Sequence, residues 1–204
     1  MKKSILIPLS FVFVSTLLLS GCGDGSASKK LSVFPFNTAV IKYELSGSFT
    51  GEENLYIKGD LMSSHKYIMQ NDAEESTLEL SLGSEKYIAN LNKMTAIKTK
   101  NEQYDKLITL GKEDQNKLLI LSALGLKDSD PIPSSSGTKK IAGQTCDVYV
   151  IENVGTACMW NGLVLEKKIT ILGISNDKTA VSIELDKDIS NDRFELPAGV
   201  IVTN

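Results

Sequence analysis

The sequence predicts a mainly β, α+β domain: a strongly curved antiparallel sheet of about nine to ten strands with one or two helices on its concave side. Three observations predict it. Apolar and polar residues alternate with a period of two through most of positions 40–99 and 145–185. Short polar turns separate these runs, which suits antiparallel neighbours with one buried face. That many strands must curl or close, and one leucine-rich helix is apolar around too much of its circumference to lie on an ordinary surface.

The elements follow in order. Ile41, Tyr43, Leu45 and Phe49 share one face of a first run, with Val40, Lys42, Glu44, Ser46 and Ser48 on the other. Leu55 and Ile57 continue the pattern up to a turn at Gly59-Asp60, and Lys66 to Met69 is a further short strand. Leu78, Leu80 and Leu82 alternate with Glu79 and Ser81, and Gly83-Ser84 turns into a strand from Tyr87 to Leu91. Thr95 to Thr99 is another. A helix is predicted from Glu113 to Leu124, with acids at its positive end and Gly125 as a left-handed cap. Leu126 would then pack back on Leu121. A weaker helix lies within 101–110, and the Pro-, Ser- and Asp-rich stretch 127–137 is an exposed loop. Strands at 145–151 and 156–160 flank a turn at 152–155. A last pair, around Ile169-Ile171 and Val181-Leu185, flanks a turn near Asn176-Asp177.

Composition narrows the chemistry. The chain has 204 residues, 42% hydrophobic and 23% charged, which excludes wholesale disorder and a polytopic membrane protein. It carries 22 basic and 25 acidic residues, and Arg193 is its only arginine. Such a chain lacks the basic face that nucleic-acid phosphates require. His65, the single histidine, sits in a polar run and leaves little room for His-rich metal sites or Ser-His-Asp chemistry. No nucleophile elbow, Walker loop or zincin motif occurs. S-x-x-K runs such as those at Ser26, Ser63 and Ser136 have no K-T-G partner. Asp72, Glu74 and Glu75 lack the ligand spacing of a calcium loop. The expectation is a non-enzyme with no catalytic residue, no metal and no cofactor.

Lys2 and Lys3 precede an apolar stretch from Ile5 to Leu19, too short for an ordinary spanning helix and matching a secretory signal. It ends in Leu19-Ser20-Gly21-Cys22, which resembles the bacterial lipobox. The resemblance implies cleavage before Cys22 and acylation of that cysteine, and two or more chains give lasting attachment where one does not. The expected organisation is a signal peptide at 1–21, a lipidated N-terminus and flexible tether at 22–36, and a single domain at 37–204. Losing Lys2 and Lys3 leaves 20 basic against 25 acidic residues, a net charge of −5. Gly23, not an aspartate, follows Cys22, so sorting by the enterobacterial pattern would favour the outer membrane facing the periplasm.

Cys146 and Cys158 remain. In an extracytoplasmic compartment an even pair suggests a disulfide. A hairpin centred at Glu152 would place the two opposite each other, within bridging range. Two buried, reduced cysteines are the alternative. Trp160, at the end of this hairpin, is either core or the lining of a ligand cavity.

Lys140 to Cys146, Tyr149, Cys158-Met159-Trp160 and Leu165 together resemble a group of extracytoplasmic bacterial proteins. Tyr43 to Gly47 and Phe194 to Gly199 fit the same group. These proteins are similar to the LolA/LolB-like lipoprotein-carrier superfamily. The resemblance implies a half-open antiparallel barrel with helices in its concave side. It transfers no functional residue. In the lipid carriers of that superfamily the cavity takes acyl chains. The leading expectation is therefore an envelope protein, anchored to the membrane through Cys22, that binds a lipid or lipoprotein acyl chain in the concavity. The face bearing Ile41, Tyr43, Leu45 and Phe49, the face bearing Leu78, Leu80 and Leu82, and Trp160 would line it. The other open reading is an envelope interaction or assembly factor with a packed core and no cavity.

Overall fold

A computed structural model describes residues 34–151 and 154–203. The expected signal peptide, Cys22 and most of the tether lie outside the described residues. Twelve strands form one sheet. In chain order they are β1 (Thr38–Gly47), β2 (Thr50–Lys58), β3 (Leu61–Gln70), β4 (Ala73–Leu82), β5 (Glu85–Asn90) and β6 (Thr95–Lys100), then β7 (Gly137–Ile141), β8 (Gln144–Ile151), β9 (Gly155–Trp160), β10 (Leu163–Ile171), β11 (Ile174–Leu185) and β12 (Ile201–Thr203). Helices α1 (Glu102–Leu107) and α2 (Lys112–Leu124) sit between β6 and β7. The strand order is β12-β6-β5-β4-β3-β2-β1-β11-β10-β9-β8-β7, antiparallel throughout except for the parallel pair of β12 and β6.

The sheet is open but strongly curled. Its edges, β12 and β7, do not pair with each other. Five strand spacings separate β7 from β1, roughly 24 Å in a flat sheet. Yet Ile141 of β7 and Ala39 and Ile41 of β1 belong to one buried cluster. Lys139 of β7 likewise reaches Glu166 of β10, three spacings away, with Nζ–Oε1 at 2.7 Å.

Helix α2 fills the concavity. Leu118 and Leu119 pack in the main cluster with Ile41, Tyr43, Leu55, Leu163 and Leu165, while Leu124 packs in another with Tyr149, Ala157 and Met159. Contact on two sides is what its broad apolar surface requires. Gly125 closes the helix at φ 71°, and the Leu126 amide donates to the Leu121 carbonyl at 2.8 Å, the expected Schellman pattern. Buried Gln115 donates to the carbonyls of Leu107 and Leu110 and so ties α2 to the end of α1. Helix α1 is capped at its other end by Asn101, whose side chain accepts from the Tyr104 amide.

Cross-strand pairing fixes which residues share a face. Ile41, Leu55, Ser64, Glu79, Ile88 and Ile97 are successive partners across β1 to β6, all on the concave face. Val40, Tyr56, Ser63, Leu80, Tyr87 and Lys98 are the partners one residue over, on the convex face. Leu78, Leu80 and Leu82 therefore point away from Ile41, Tyr43 and Leu45, correcting the expectation that both sets face one concavity. They form a second core with Ala89 and Ala96, covered by Leu196 and Val200 of the C-terminal segment. That segment is strapped down upstream. Lys58 Nζ donates to the Ile189 carbonyl at 2.7 Å and to Asn191 Oδ1 at 2.9 Å, Arg193 lies over the Tyr56 ring, and Ile189 and Phe194 are buried.

Other boundaries differ from expectation. The strands beyond the expected ten are β7, whose four leading residues are all exposed, and β12, three exposed residues long, so neither carries an alternation to read. Asn176-Asp177 lies inside β11. The turn is Leu172-Gly173, both with positive φ (53° and 80°), joining the paired residues Ile171 and Ile174. Phe49 does not extend the β1 face, because β1 ends at Gly47 and Phe49 sits half-buried in the turn before β2. Phe34, placed by the sequence in the tether, is 6% exposed within the main core. The described members of all three clusters lie between Phe34 and Val200 and are therefore retained in a chain beginning at Gly23.

Leu80 is 1% exposed in the second core, on the face opposite the helices. Leu80→Ala should lower the unfolding free energy by about 2–5 kcal/mol through lost transfer energy and a residual cavity. Urea denaturation measures this.

Candidate functional site

The concave face does not close completely on α2. A cleft of about 760 Å³ lies between β1 to β5 on one wall and α2 with β10 on the other. Leu55, Met62, Ile88, Leu163 and Val164 line it with apolar surface, and Ser122 and Ala123 of α2 close one side. Its volume falls within the range of about 300–1,000 Å³ typical of small-molecule sites.

Charged groups stand inside this apolar frame. Glu53 occupies the β2 position between Gly51 and Leu55 that alternation assigns to the concave face, and it is 6% exposed. Its Oε1 accepts from Ser64 Oγ at 2.9 Å and from Lys178 Nζ at 2.7 Å. Lys178 comes from β11, where it pairs with Leu45, and its Nζ also lies 3.9 Å from the centre of the Tyr43 ring. Burial lowers the pKa of Lys178 below the ordinary lysine value. Glu53 opposes that shift, while Lys66 and Lys167 add to it by like-charge repulsion. Burial, then the neighbouring Glu53 charge, pushes the Tyr43 hydroxyl far up, so it stays neutral, and it donates to the Val164 carbonyl at 3.0 Å. Lys66 projects from β3 opposite Glu53, and Lys167 of β10 donates to the Ala123 carbonyl near the C-terminal end of α2 at 3.1 Å.

The residues expected to line a ligand face separate into four groups. Tyr43 and Leu78 border the cleft, but the Leu78 side chain is packed in the convex core. Ile41 and Leu45 are buried on the concave face. Leu80 and Leu82 belong to the convex core and Phe49 to a turn. Trp160 is half-buried at the edge of the main core and stacks on Phe36, ring centres 5.8 Å apart, with Phe36 stacked on Phe34. It does not line this cleft.

Cys146 and Cys158 form a disulfide between β8 and β9, with Cα atoms 5.4 Å apart. They are not directly opposed. Cys158 pairs with Val148, because a three-residue connection joins Ile151 to Gly155 and moves the hairpin centre by one residue. The bridge is diagonal, and both cysteines are buried in the main core. Closing a loop of this length contributes about 3 kcal/mol on the chain-entropy account.

The sequence reading assigned no site role to the cluster of Glu53, Ser64, Lys66, Lys167 and Lys178. Its one sequence signal is Glu53 itself, an acid at the in-facing parity of a strand that continues with Leu55 and Ile57. Among the described residues no helix is long and apolar enough to cross a membrane.

Removing Lys178 would leave Glu53 buried and uncompensated. Lys178→Met should therefore destabilise the fold by about 2–4 kcal/mol. Adding Glu53→Gln should recover part of that loss rather than deepen it. Urea midpoints of the two single variants and the double variant give the coupling.

No protein-family model matches the chain, and no curated protein matches it. Among solved structures it is similar to an uncharacterized conserved protein from Thermus thermophilus, with a TM-score of 0.53 at 8% identity over 86% of this chain and 92% of that one. At that identity the likeness is one of fold. MucB is also similar, at a TM-score of 0.44 and 11% identity over 81% of this chain and 60% of that chain. So is a MucA/MucB complex from Pseudomonas aeruginosa, at a TM-score of 0.46 and 11% identity over 81% and 58%. This chain spans less than two thirds of those MucB chains.

Proposed function

We propose that this chain is a non-enzymatic cell-envelope lipoprotein that holds an apolar ligand, a lipid or an acyl chain, in its concave cleft. The cleft carries the reading: about 760 Å³ of concave space bordered by Leu55, Met62, Ile88, Leu163 and Val164, which a fully packed core would have filled. The disulfide supports an oxidising, extracytoplasmic compartment. The Leu19-Ser20-Gly21-Cys22 run supports anchoring through Cys22, with the outer membrane facing the periplasm as the favoured site.

A second reading, an envelope interaction factor, draws on a different feature. Ile171, Leu172 and Ile174 at the tip of the β10–β11 hairpin are 55%, 97% and 55% exposed. Three large apolar side chains at one turn form a surface that a partner could cover.

The decisive experiment uses protein beginning at Gly23, purified without detergent, in native mass spectrometry and in titration with a fluorescent fatty acid. One bound chain per protein is expected. Thr77→Trp and Ser122→Trp, which fill the cleft from opposite walls, should each weaken uptake by about tenfold or more. A folded protein that neither carries nor takes up an acyl chain refutes the ligand reading and leaves the interaction reading.

Anchoring has its own test in the full chain. Cys22→Ala should abolish incorporation of labelled palmitate and leave an uncleaved precursor on immunoblots. Undiminished labelling would refute the anchor.

A further inference from the structure

The cleft is charged in a way that an apolar ligand alone does not use. Three lysines, Lys66, Lys167 and Lys178, line it together with two acids, Glu53 and Glu79. Both acids are already matched. Glu53 holds Lys178, and Glu79 pairs with Lys86 at 2.7 Å. Among the described residues neither Lys66 nor Lys167 has a carboxylate oxygen within ion-pair distance. Lys66, and Lys167 with only the Ala123 carbonyl as its partner, therefore bring two cations without a carboxylate into a half-enclosed cleft of mixed lining, in a chain whose net charge is −3.

Such an arrangement is unfavourable while the cleft holds only water. Like charges repel, and partial enclosure of the cleft weakens solvent screening of that repulsion. Its effect reaches the buried pair, since Lys66 and Lys167 both disfavour the charged form of Lys178. An anion placed between the two lysines would relieve the repulsion, and a hydrocarbon tail attached to it would cover Leu55, Leu163 and Val164. Glu53 keeps its place in this account by pinning Lys178 and limiting the total positive charge.

We infer that the cleft selects anionic amphiphiles, seating a carboxylate or phosphate head between Lys66 and Lys167 and the acyl tail on the concave apolar wall. This rests on the acyl-ligand reading above and adds to it the class of head group. A neutral lipid of equal tail length would fit the wall but leave both cations unmatched, so the head group becomes the source of discrimination.

The test compares three probes of equal tail length on protein beginning at Gly23, by isothermal titration below their micelle concentrations. They are dodecanoate, dodecyl phosphate and dodecanol. The anionic probes should bind about tenfold or more tighter than dodecanol. Lys66→Gln/Lys167→Gln should remove most of that advantage while leaving dodecanol binding unchanged, and Lys66→Arg/Lys167→Arg should keep it. Tighter binding of dodecyl phosphate than of dodecanoate would point to a phospholipid head as the source, and the reverse order to a free fatty acid. Should the glutamine variant fail to fold, the unaltered protein decides: raising sodium chloride from about 0.05 M to about 0.5 M must weaken the anionic probes and spare dodecanol. Equal binding of all three probes overturns the head-group inference alone. Binding of none overturns the acyl-ligand reading as well.

Discussion

A single sheet of twelve strands has two faces, and every residue in it is assigned to one or the other by alternation. Both faces of this sheet carry apolar side chains, so both need a cover. The concave face receives α2 and the curled strands β7 to β10. The convex face of β2 to β6 receives the C-terminal segment, held by Lys58, Tyr56 and the small core around Leu80. Parallel pairing of β12 with β6 is a consequence, since a strap that crosses the convex face from β11 arrives at the far edge running with β6. The two-sided demand also explains the cleft. Helix α2 is 13 residues long and serves two clusters at once, so it leaves part of the wall formed by β2 to β5 uncovered.

Much of this was legible in the sequence, and the failures have physical causes. The strand pattern, with its turns, located ten strands, most of them because one of their two faces is apolar. It missed β7, where Gly137-Thr138-Lys139-Lys140 pair on an exposed edge with nothing to bury. It could not say which face of β4 joins which face of β1. Strand parity is a property of turn lengths, and a connection longer or shorter by one residue moves every side chain to the other face. Leu78, Leu80 and Leu82 were misplaced for that reason, and the disulfide hairpin was centred one residue early for the same reason. The α2 cap was readable because Gly125 and Leu126 act locally. The charged cluster was not. Its members lie on β2, β3, β10 and β11, and only the assembled sheet brings Lys178 to Glu53 across 125 residues.

The pair of Glu53 and Lys178 also limits what the cleft can be. A purely apolar cavity of this size needs no buried acid, and replacing a buried ion pair by hydrocarbon is often neutral or stabilising. Keeping one here is understandable if the charge serves the occupant. Glu53 fixes Lys178 against Tyr43, so the lysine charge has one position instead of a range of rotamers. Tyr43 in turn is fixed by its bond to the Val164 carbonyl on the opposite wall. The polar groups thus form a connected strip across a cleft of mixed polar and apolar lining.

The proposed anchor at Cys22 would act at one end of β1. The strand begins beside Phe34 and Phe36, which stack towards Trp160, and it ends at Gly47, paired with Asn176 next to the β10–β11 hairpin tip. Ten residues of strand separate these ends, roughly 33 Å. An anchor at Cys22 would hold the Phe34 end near the bilayer and point Leu172 away from it. The twelve residues from Cys22 to Phe34 reach about 40 Å when fully extended, and much less as a relaxed coil. An anchor there would leave the hairpin tip at the end of β1 remote from the bilayer. A role for Ile171, Leu172 and Ile174 in contact with a protein partner or an opposing surface is compatible with that geometry. A role in gripping the anchoring bilayer requires the domain to lie flat.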